Sequence, residues 1–220
     1  MFEVKQLNKS YGNKIIFKNA SFKAEYGNIV GLLGKNGVGK TTFFNCITGV
    51  CDSSILNADE IKNTRFSYMP RFEQGEWNDT ISDLARLLPV ISDGFDKEYF
   101  KQKTDEIFKG KNLQLKALST GERVALEFII TLSRSAQVYL FDEPFANLDS
   151  HYREFIKREL ISNYSDYKLF IISSHDIAEL EMLFSHVAII KDHGISGLYD
   201  CEQIRESGDT VNEFFMRETI

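Results

Sequence analysis

The feature of this chain that most constrains its fold is the sequence Gly-Lys-Asn-Gly-Val-Gly-Lys-Thr at residues 34–41. It follows a largely apolar run at 29–33, which predicts a buried strand, and it leads into a predicted helix at 40–48. Glycines allow the backbone to turn so that successive N–H groups point inward, and the N-terminus of the following helix adds positive potential. The sequence therefore predicts a phosphate-binding loop, with a nucleoside triphosphate as its ligand.

Each residue type in this loop has an expected task. Lys40 is long enough to reach the β- and γ-phosphates, Thr41 offers a hydroxyl to the accompanying magnesium ion, and Thr42 offers a second hydroxyl. A glycine-rich turn without a ligand is the alternative, and the position between strand and helix argues against it. The predicted nucleotide-binding residues of the loop are Gly34, Asn36, Gly37, Val38, Gly39, Lys40, Thr41 and Thr42.

Composition limits what else the chain can be. Of its 220 residues 43% are hydrophobic, which suffices for a sizeable core, and the net charge of −6 disfavours a broad surface for nucleic acid. No apolar stretch approaches the roughly 18 residues of a membrane span, and the start lacks a signal peptide's apolar segment, so a soluble, cytoplasmic chain is expected. Cys46, Cys51 and Cys201 form no Cys-x-x-Cys pair, which predicts reduced thiols.

Apolar patterns predict a layered organisation. Alternation at 2–7 and 15–22 indicates an antiparallel hairpin layer before the loop. Further strands are predicted at 66–69, 138–141, 169–173, 187–190 and 197–199. Helices are predicted between them at 120–133 and 151–163, and a final helix should end near Glu218. The expected fold class is α/β, with a mainly parallel sheet covered on both faces.

Segment 72–117 differs in character from the rest of the chain. Apolar residues such as Ile81, Leu84 and Leu88 recur at helical spacing, and Pro89 and Gly94 predict breaks between two or three helices. We therefore expect an inserted α-helical subdomain within a single domain that spans 1–220.

Two carboxylates follow the buried strand predicted at 138–141. Ligands of parallel sheets gather at the carboxyl ends of strands, so Asp142 is the expected magnesium-side carboxylate. Glu143 is the expected base that polarises the water attacking the γ-phosphate. The alternative is that both residues simply begin a loop before Pro144, and the phosphate-binding loop makes this alternative the weaker one.

The sequence Leu-Ser-Thr-Gly-Glu at 118–122, hereafter the signature turn, resembles the signature of ATP-binding-cassette (ABC) ATPases. Thr120 stands where that family usually has a second glycine, while Ser119 and Gly121 are kept. A serine and a free N–H at a helix start form an anion site. Ser119 and Glu122 also make an ordinary capping box, and both roles can hold together.

The resemblance covers essentially the whole chain and implies a P-loop NTPase fold, with ATP and Mg²⁺ as cofactors. It implies that Tyr11 stacks on adenine, although an exposed hairpin tyrosine is the alternative. It also implies that Asp149, in the loop 146–149, lies at a dimer interface, or else only caps a helix. His175 matches the switch histidine that contacts the γ-phosphate. Lys40, Glu143 and His175 are thus the expected catalytic residues.

One position departs from the family pattern. Near 66–70 the family usually carries a glutamine that touches magnesium and the attacking water, and this chain has Arg71. A guanidinium cannot ligate a metal ion. Three alternatives stay open: Arg71 pairs with phosphate oxygens, Arg71 points away from the site, or Gln74 reaches into the site instead.

The resemblance implies the ATP-binding and hydrolysing subunit of an ABC transporter, held at the inner face of the membrane by a separate permease. Ser119 and Gly121 would close the phosphate loop of a second, head-to-tail subunit, in a homodimer or a heterodimer. The inserted helices would bind a permease helix, and candidate groove residues are Phe72, Trp77 and Leu84, for each of which core packing is the alternative. Other hypotheses are a soluble ABC ATPase acting on ribosomes, DNA or cluster assembly, and a small-molecule kinase.

Overall fold

A parallel sheet places the ends of three central strands side by side in the computed structural model, which describes residues 1–69, 78–175, 177, 178 and 180–219. An antiparallel hairpin of β1 (Phe2–Tyr11) and β2 (Lys14–Ala24) forms a separate layer. The strands of the main sheet are β3 (Asn28–Leu33), β4 (Phe66–Tyr68), β5 (Val138–Asp142), β6 (Leu169–Ser174), β7 (His186–Lys191), β8 (Gly194–Ile195) and β9 (Tyr199–Asp200).

Among the described residues, the main sheet has the order β4-β5-β6-β3-β7-β8, and β9 pairs with β7. The pairs among β3, β4, β5, β6 and β7 are parallel, whereas β8 and β9 run antiparallel to β7. The register aligns Asp142 with Ser173, and Leu33 with Ser174. The carboxyl ends of β5, β6 and β3 are therefore neighbours, and the segments that follow these strands meet at one edge.

Helices cover both faces of this sheet. They are α1 (Lys40–Ile47), α2 (Ala58–Lys62), α3 (Ile81–Ile91), α4 (Lys97–Phe108), α5 (Thr120–Leu132), α6 (Ser150–Asn163), α7 (Cys201–Glu206) and α8 (Val211–Glu218), with a 3₁₀ turn at Leu115–Ala117. Alternate residues of each central strand enter different cores: Val30 and Leu32 pack with α1 and the hairpin, while Ile29 and Leu33 pack with α3 to α6.

Three local expectations are wrong. Pro89 does not break a helix but lies inside α3, whose capping box at Thr80 and buried apolar face hold it together until two residues beyond the proline. The strand predicted at 197–199 overlaps β9 only at Tyr199. The final helix is two helices, α7 and α8, because Gly208 has φ +91° between them. Gly94, with φ +70°, does separate α3 from α4.

Within the described part of the chain, no helix combines the length and the apolar character that a membrane crossing requires.

Candidate active site

The loop at 34–41 connects β3 directly to α1, and two of its glycines are required by close contacts. A Cβ on Gly34 would lie 2.7 Å from the Val38 side chain. Gly39 has φ +124°, and a Cβ there would lie 2.8 Å from the Ile16 side chain on β2. A larger residue at Gly34 would therefore collide with Val38 of the loop, and one at Gly39 would collide with the hairpin and would also be strained by its positive φ.

Lys40, the first residue of α1, is folded into this loop. Its side chain is only 7% exposed, and its Nζ donates a hydrogen bond to the Gly34 carbonyl at 2.9 Å. The same Nζ lies 3.3 Å from Oε1 of Glu143. One buried cation therefore joins the phosphate-binding loop to the carboxylate that follows β5.

A chain of hydrogen bonds links α1, β5 and β6. Thr41 donates its hydroxyl to Oδ2 of Asp142 at 2.7 Å, and Ser173 donates its hydroxyl to Oδ1 of the same carboxylate at 2.7 Å. The backbone N–H of Glu143 donates to the Ser173 hydroxyl oxygen at 2.9 Å. Both oxygens of the Asp142 carboxylate are thereby held in place, which fixes its orientation before any ligand is bound.

Glu143 lies between two cationic or protonatable partners. Its Oε2 is 2.8 Å from Nδ1 of His175, on the side opposite the Lys40 contact. Glu143 has φ +53°, a left-handed conformation that is uncommon outside glycine, and it aims the side chain from the strand end toward β6. Glu143 is 20% exposed and His175 is 49% exposed. Water can therefore reach this carboxylate.

A cavity of about 360 Å³ collects most of the predicted residues. It is lined by Asn36, Gly37, Gly39, Lys40, Thr41, Thr42, Asp142 and Glu143. A larger cavity of about 480 Å³ lies at the other end of α1 and contains none of the predicted site residues. The phosphate chemistry belongs to the smaller cavity, because the loop glycines, the lysine and both carboxylates meet there.

The oxygen donors at this cavity fit a magnesium ion bound together with a nucleotide. Thr41 and Asp142 supply one hydroxyl and one carboxylate within 2.7 Å of each other. In the described part of the chain, no cluster of three or more His, Cys, Asp or Glu residues could hold a metal by itself. The Thr41–Asp142 pair suits Mg²⁺, which is usually held by one or two protein oxygens while phosphates and water complete its octahedron.

The signature turn does not line this cavity. Ser119 caps α5: its hydroxyl accepts from the Glu122 N–H at 3.3 Å, and the Glu122 carboxylate accepts from the Ser119 N–H at 2.8 Å. The expected capping box is therefore present. Gly121 lies under the ring of Tyr152, and a Cβ there would lie 2.4 Å from that ring.

The remaining predicted residues lie in three settings. Tyr11 ends β1, is 50% exposed, and has Lys9 Nζ 4.5 Å from its ring centre, but it is not among the residues that line the cavity. Asp149 caps α6 by accepting from the Tyr152 N–H at 3.2 Å. Leu84 is 5% exposed and belongs to the core, so it is not a groove residue. The hypotheses on Arg71, Phe72, Gln74 and Trp77 fall on residues outside the described part.

Ser173 was missed by sequence reasoning. It lies in β6, which is apolar up to Ile172 and ends in two serines, and it joins the Asp142 carboxylate to the Glu143 backbone. A signal was available, because a fully buried strand that ends in Ser-Ser-His carries polar groups that need partners. Only the pairing of β6 with β5 shows which partners they are.

Comparison with known proteins identifies the family. The ABC transporter family model matches residues 17–146, more than half of the chain, so the chain belongs to that family. An ABC transporter ATP-binding protein of Methanocaldococcus jannaschii is 28% identical over 196 residues, which cover 86% of this chain and 73% of that protein. The energy-dependent translational throttle protein EttA of Mycobacterium tuberculosis is 34% identical over 161 residues, which cover 67% of this chain and 27% of EttA.

The fold is shared with solved structures. A structure of an ATP-binding subunit of an ABC transporter superposes with a TM-score of 0.82 at 20% sequence identity and covers 98% of both chains. The predicted α/β P-loop NTPase fold, with its mainly parallel sheet and antiparallel N-terminal layer, is confirmed. Family membership implies nucleotide binding and ATP hydrolysis, with Mg²⁺ as the usual companion of the nucleotide.

Proposed function

We propose that this chain is the ATP-binding and hydrolysing subunit of an ABC transporter, and that it drives a separate permease. The observation that carries the hydrolytic part is the position of Glu143, held between Lys40 and His175 beside the Thr41–Asp142 pair. A base, an electrophilic lysine and oxygen donors for a cation thus meet at one phosphate-binding loop, as in-line phosphoryl transfer to water requires.

The residues have distinct roles in this proposal. The backbone N–H groups of the loop and the Lys40 ammonium stabilise charge on the phosphates, while Thr41 and Asp142 hold Mg²⁺, which when bound neutralises phosphate charge. Glu143 accepts a proton from the attacking water, and His175 orients the Glu143 carboxylate through the 2.8 Å contact. Tyr11 stacks on adenine at the tip of the hairpin.

The site of one chain is completed by a second copy or a related subunit. Ser119 and Gly121 do not line the cavity that contains Lys40 and Thr41, so their anion-binding turn serves the loop of a partner. ATP adds contacts that exist only in the closed pair, and hydrolysis removes them, which reopens it. Asp149, at the start of α6, lies in the loop that crosses this interface.

The helical segment is the proposed contact with the permease. We propose that 72–117 is an inserted subdomain of a single domain, 1–220, and its α3 exposes three apolar side chains close together: Leu87 at 51%, Val90 at 80% and Ile91 at 65%. Exposed apolar groups on one short helix end suit a protein partner rather than water. Through that partner the chain is held at the inner face of the membrane.

A soluble, non-transport ABC ATPase is the second candidate. The similarity to EttA, a protein whose name places it in translation, favours this candidate. The net charge of −6 argues against it, because ribosome surfaces are polyanionic. The match also covers only 27% of EttA.

One experiment separates these candidates. Glu143→Gln protein is expressed in cells, and the lysate, supplemented with ATP, is divided between a membrane-flotation assay and a ribosome-sedimentation assay. Lys40→Ala protein is the nucleotide-free control. We expect the protein to float with membranes and Val90→Asp to abolish this flotation. Ile161→Asp changes an exposed apolar residue on α6, 63% exposed, and should leave flotation intact. Sedimentation with ribosomes and no flotation would overturn the transporter proposal and support the alternative.

A further inference from the structure

The larger cavity, of about 480 Å³, lies at the C-terminal end of α1, away from the phosphate-binding loop at the other end of that helix. Two of its lining residues are cysteines. Cys46 lies in the last turn of α1, and Cys51 follows the turn at Gly49, which has φ +74°. The Cys51 N–H donates to the Asn45 carbonyl at 3.1 Å, so the backbone itself folds the second cysteine back on the first.

The two sulfur atoms are in direct contact. Cys46 Sγ and Cys51 Sγ are 3.5 Å apart, and a disulfide bond requires that this distance shrink to about 2.05 Å. The segment after Cys51 is fixed on β1: the Asp52 carbonyl accepts from Lys9 Nζ at 2.6 Å, and Ser54 exchanges backbone hydrogen bonds with Asn8. The pair is therefore held at a separation that a small local movement can close.

The two thiols differ in access. Cys46 is 4% exposed, whereas Cys51 is partly exposed and lines the open cavity with Asp52 and Lys62. Burial, together with the hydrogen bond to Cys51, raises the pKa of the Cys46 thiol to about 12, so this residue stays protonated at neutral pH. An oxidant entering from the cavity meets Cys51 first, and Cys46 is the resolving thiol behind it.

We propose that Cys46 and Cys51 form a thiol–disulfide modification site that reacts with hydroperoxides. The Cys51 thiol attacks hydrogen peroxide, which breaks the O–O bond, leaves a sulfenic acid on Cys51 and releases one water. The Cys46 sulfur then attacks the Cys51 sulfur, and the Cys46 proton leaves with the displaced hydroxide as a second water. The two thiols together lose two electrons, which reduce one peroxide. A dithiol reductant reverses the bond.

The site is independent of the ATPase roles proposed above, because neither cysteine lines the phosphate cavity. The sequence analysis predicted reduced thiols, and the contact between Cys46 and Cys51 was not part of that prediction. Cys201, which is fully buried and whose pKa is raised by burial to about 11, offers a matched thiol without a sulfur neighbour among the contacts described. It is the control cysteine for the experiment.

The test uses the folded, reduced full chain and hydrogen peroxide as the probe. After quenching and alkylation, mass spectrometry should show a Cys46–Cys51 bond with the loss of two hydrogens, restored by dithiothreitol and equally present in Cys201→Ser protein. Cys46→Ser should stop at a Cys51 sulfenic acid that dimedone captures, and Cys51→Ser should form no bond. Oxidation of Met182, which is 77% exposed, while both cysteines stay alkylatable would overturn the proposal. A dimedone adduct on Cys46 of the wild-type protein would also overturn the proposal, because it would show that the sulfenic acid forms on Cys46.

Discussion

The phosphate cavity and the signature turn bring similar groups to bear on an anion but differ in how those groups are held. At the cavity, Lys40 and Asp142 are 7% and 5% exposed. Lys40 donates to the Gly34 carbonyl of its own loop and lies 3.3 Å from Glu143 beyond β5, and Asp142 accepts from Ser173 on β6. At the signature turn, Ser119 is exposed, and the two bonds of its capping box are made to Glu122 in the next turn of the same helix. The first region is preorganised by contacts between segments far apart in the chain, whereas the capping box of the second forms within one helix turn.

Because of this difference, one copy alone should perform only part of the proposed reaction. A preorganised cavity binds phosphates and a cation without further rearrangement. A capped helix start that does not line that cavity contributes only when another molecule brings a phosphate to it. Changes at the cavity should therefore act on a single copy, and changes at the signature turn should act only on the pair.

The largest effect is expected from Glu143→Gln. Loss of the base should slow hydrolysis by about 10²- to 10⁴-fold, which corresponds to roughly 3–5 kcal/mol of barrier. ATP binding should persist, because the amide has the size of the carboxylate and removes a negative charge near the phosphates. Single-turnover phosphate release and size-exclusion chromatography with ATP measure both effects, and the variant should accumulate as an ATP-bound pair. Full turnover would remove Glu143 as the base.

The second-largest effect is expected from Lys40→Ala, which should weaken ATP binding by a single copy. Lys40 is expected to reach two phosphates, and each charge-assisted hydrogen bond is worth about 1.5–3 kcal/mol, so the loss of both should lower ATP affinity by about 100-fold or more. Lys35→Ala is the matched control, because Lys35 lies in the same loop but donates to the Thr219 carbonyl at 3.0 Å. Equilibrium binding of a fluorescent ATP analogue makes the comparison. Wild-type affinity in Lys40→Ala protein would contradict the assigned loop.

Gly121→Ala probes the packing behind the signature turn. The new Cβ would lie 2.4 Å from the Tyr152 ring, so the ring must move, and we expect a loss of about 1–3 kcal/mol in the free energy of unfolding. In a Tyr152→Ala background the same change should cost nothing, because the clash is gone and alanine favours the helix by up to about 1 kcal/mol. Urea unfolding of the four proteins measures the coupling. Equal costs in both backgrounds would show that Tyr152 does not restrict Gly121.

Ser119→Ala should have the smallest effect and the most specific one. It removes a cap worth about 1 kcal/mol of stability, and Thr210→Ala removes the same capping box from α8, where Glu213 replaces Glu122. Both variants should lose similar stability and bind ATP normally. Only Ser119→Ala should slow hydrolysis by the pair, by about tenfold for one lost bond to a charged phosphate. Equal hydrolysis in the two variants would mean that Ser119 is only a cap.

Much of this molecule follows from local sequence. The glycines at 34, 37 and 39 predicted the loop, the run at 138–141 predicted β5, and Ser119 with Glu122 predicted a capping box that the structure contains. These features depend on residues close together in the chain, so periodicity and backbone chemistry suffice to find them. Pro89 shows the opposite case, because packing of Ile81 and Leu88 into the core outweighs the local tendency of proline to end a helix.

Sequence reasoning was sufficient for the phosphate-binding loop, for the strands and helices that flank it, and for the types of residue available for chemistry. Only the folded sheet shows that Ser173 links Asp142 to Glu143, that Glu143 lies between Lys40 and His175, and that the signature turn does not line the phosphate cavity. The physical reason is that such contacts depend on which strands pair and in which register, and these are properties of the whole sheet that no local segment encodes.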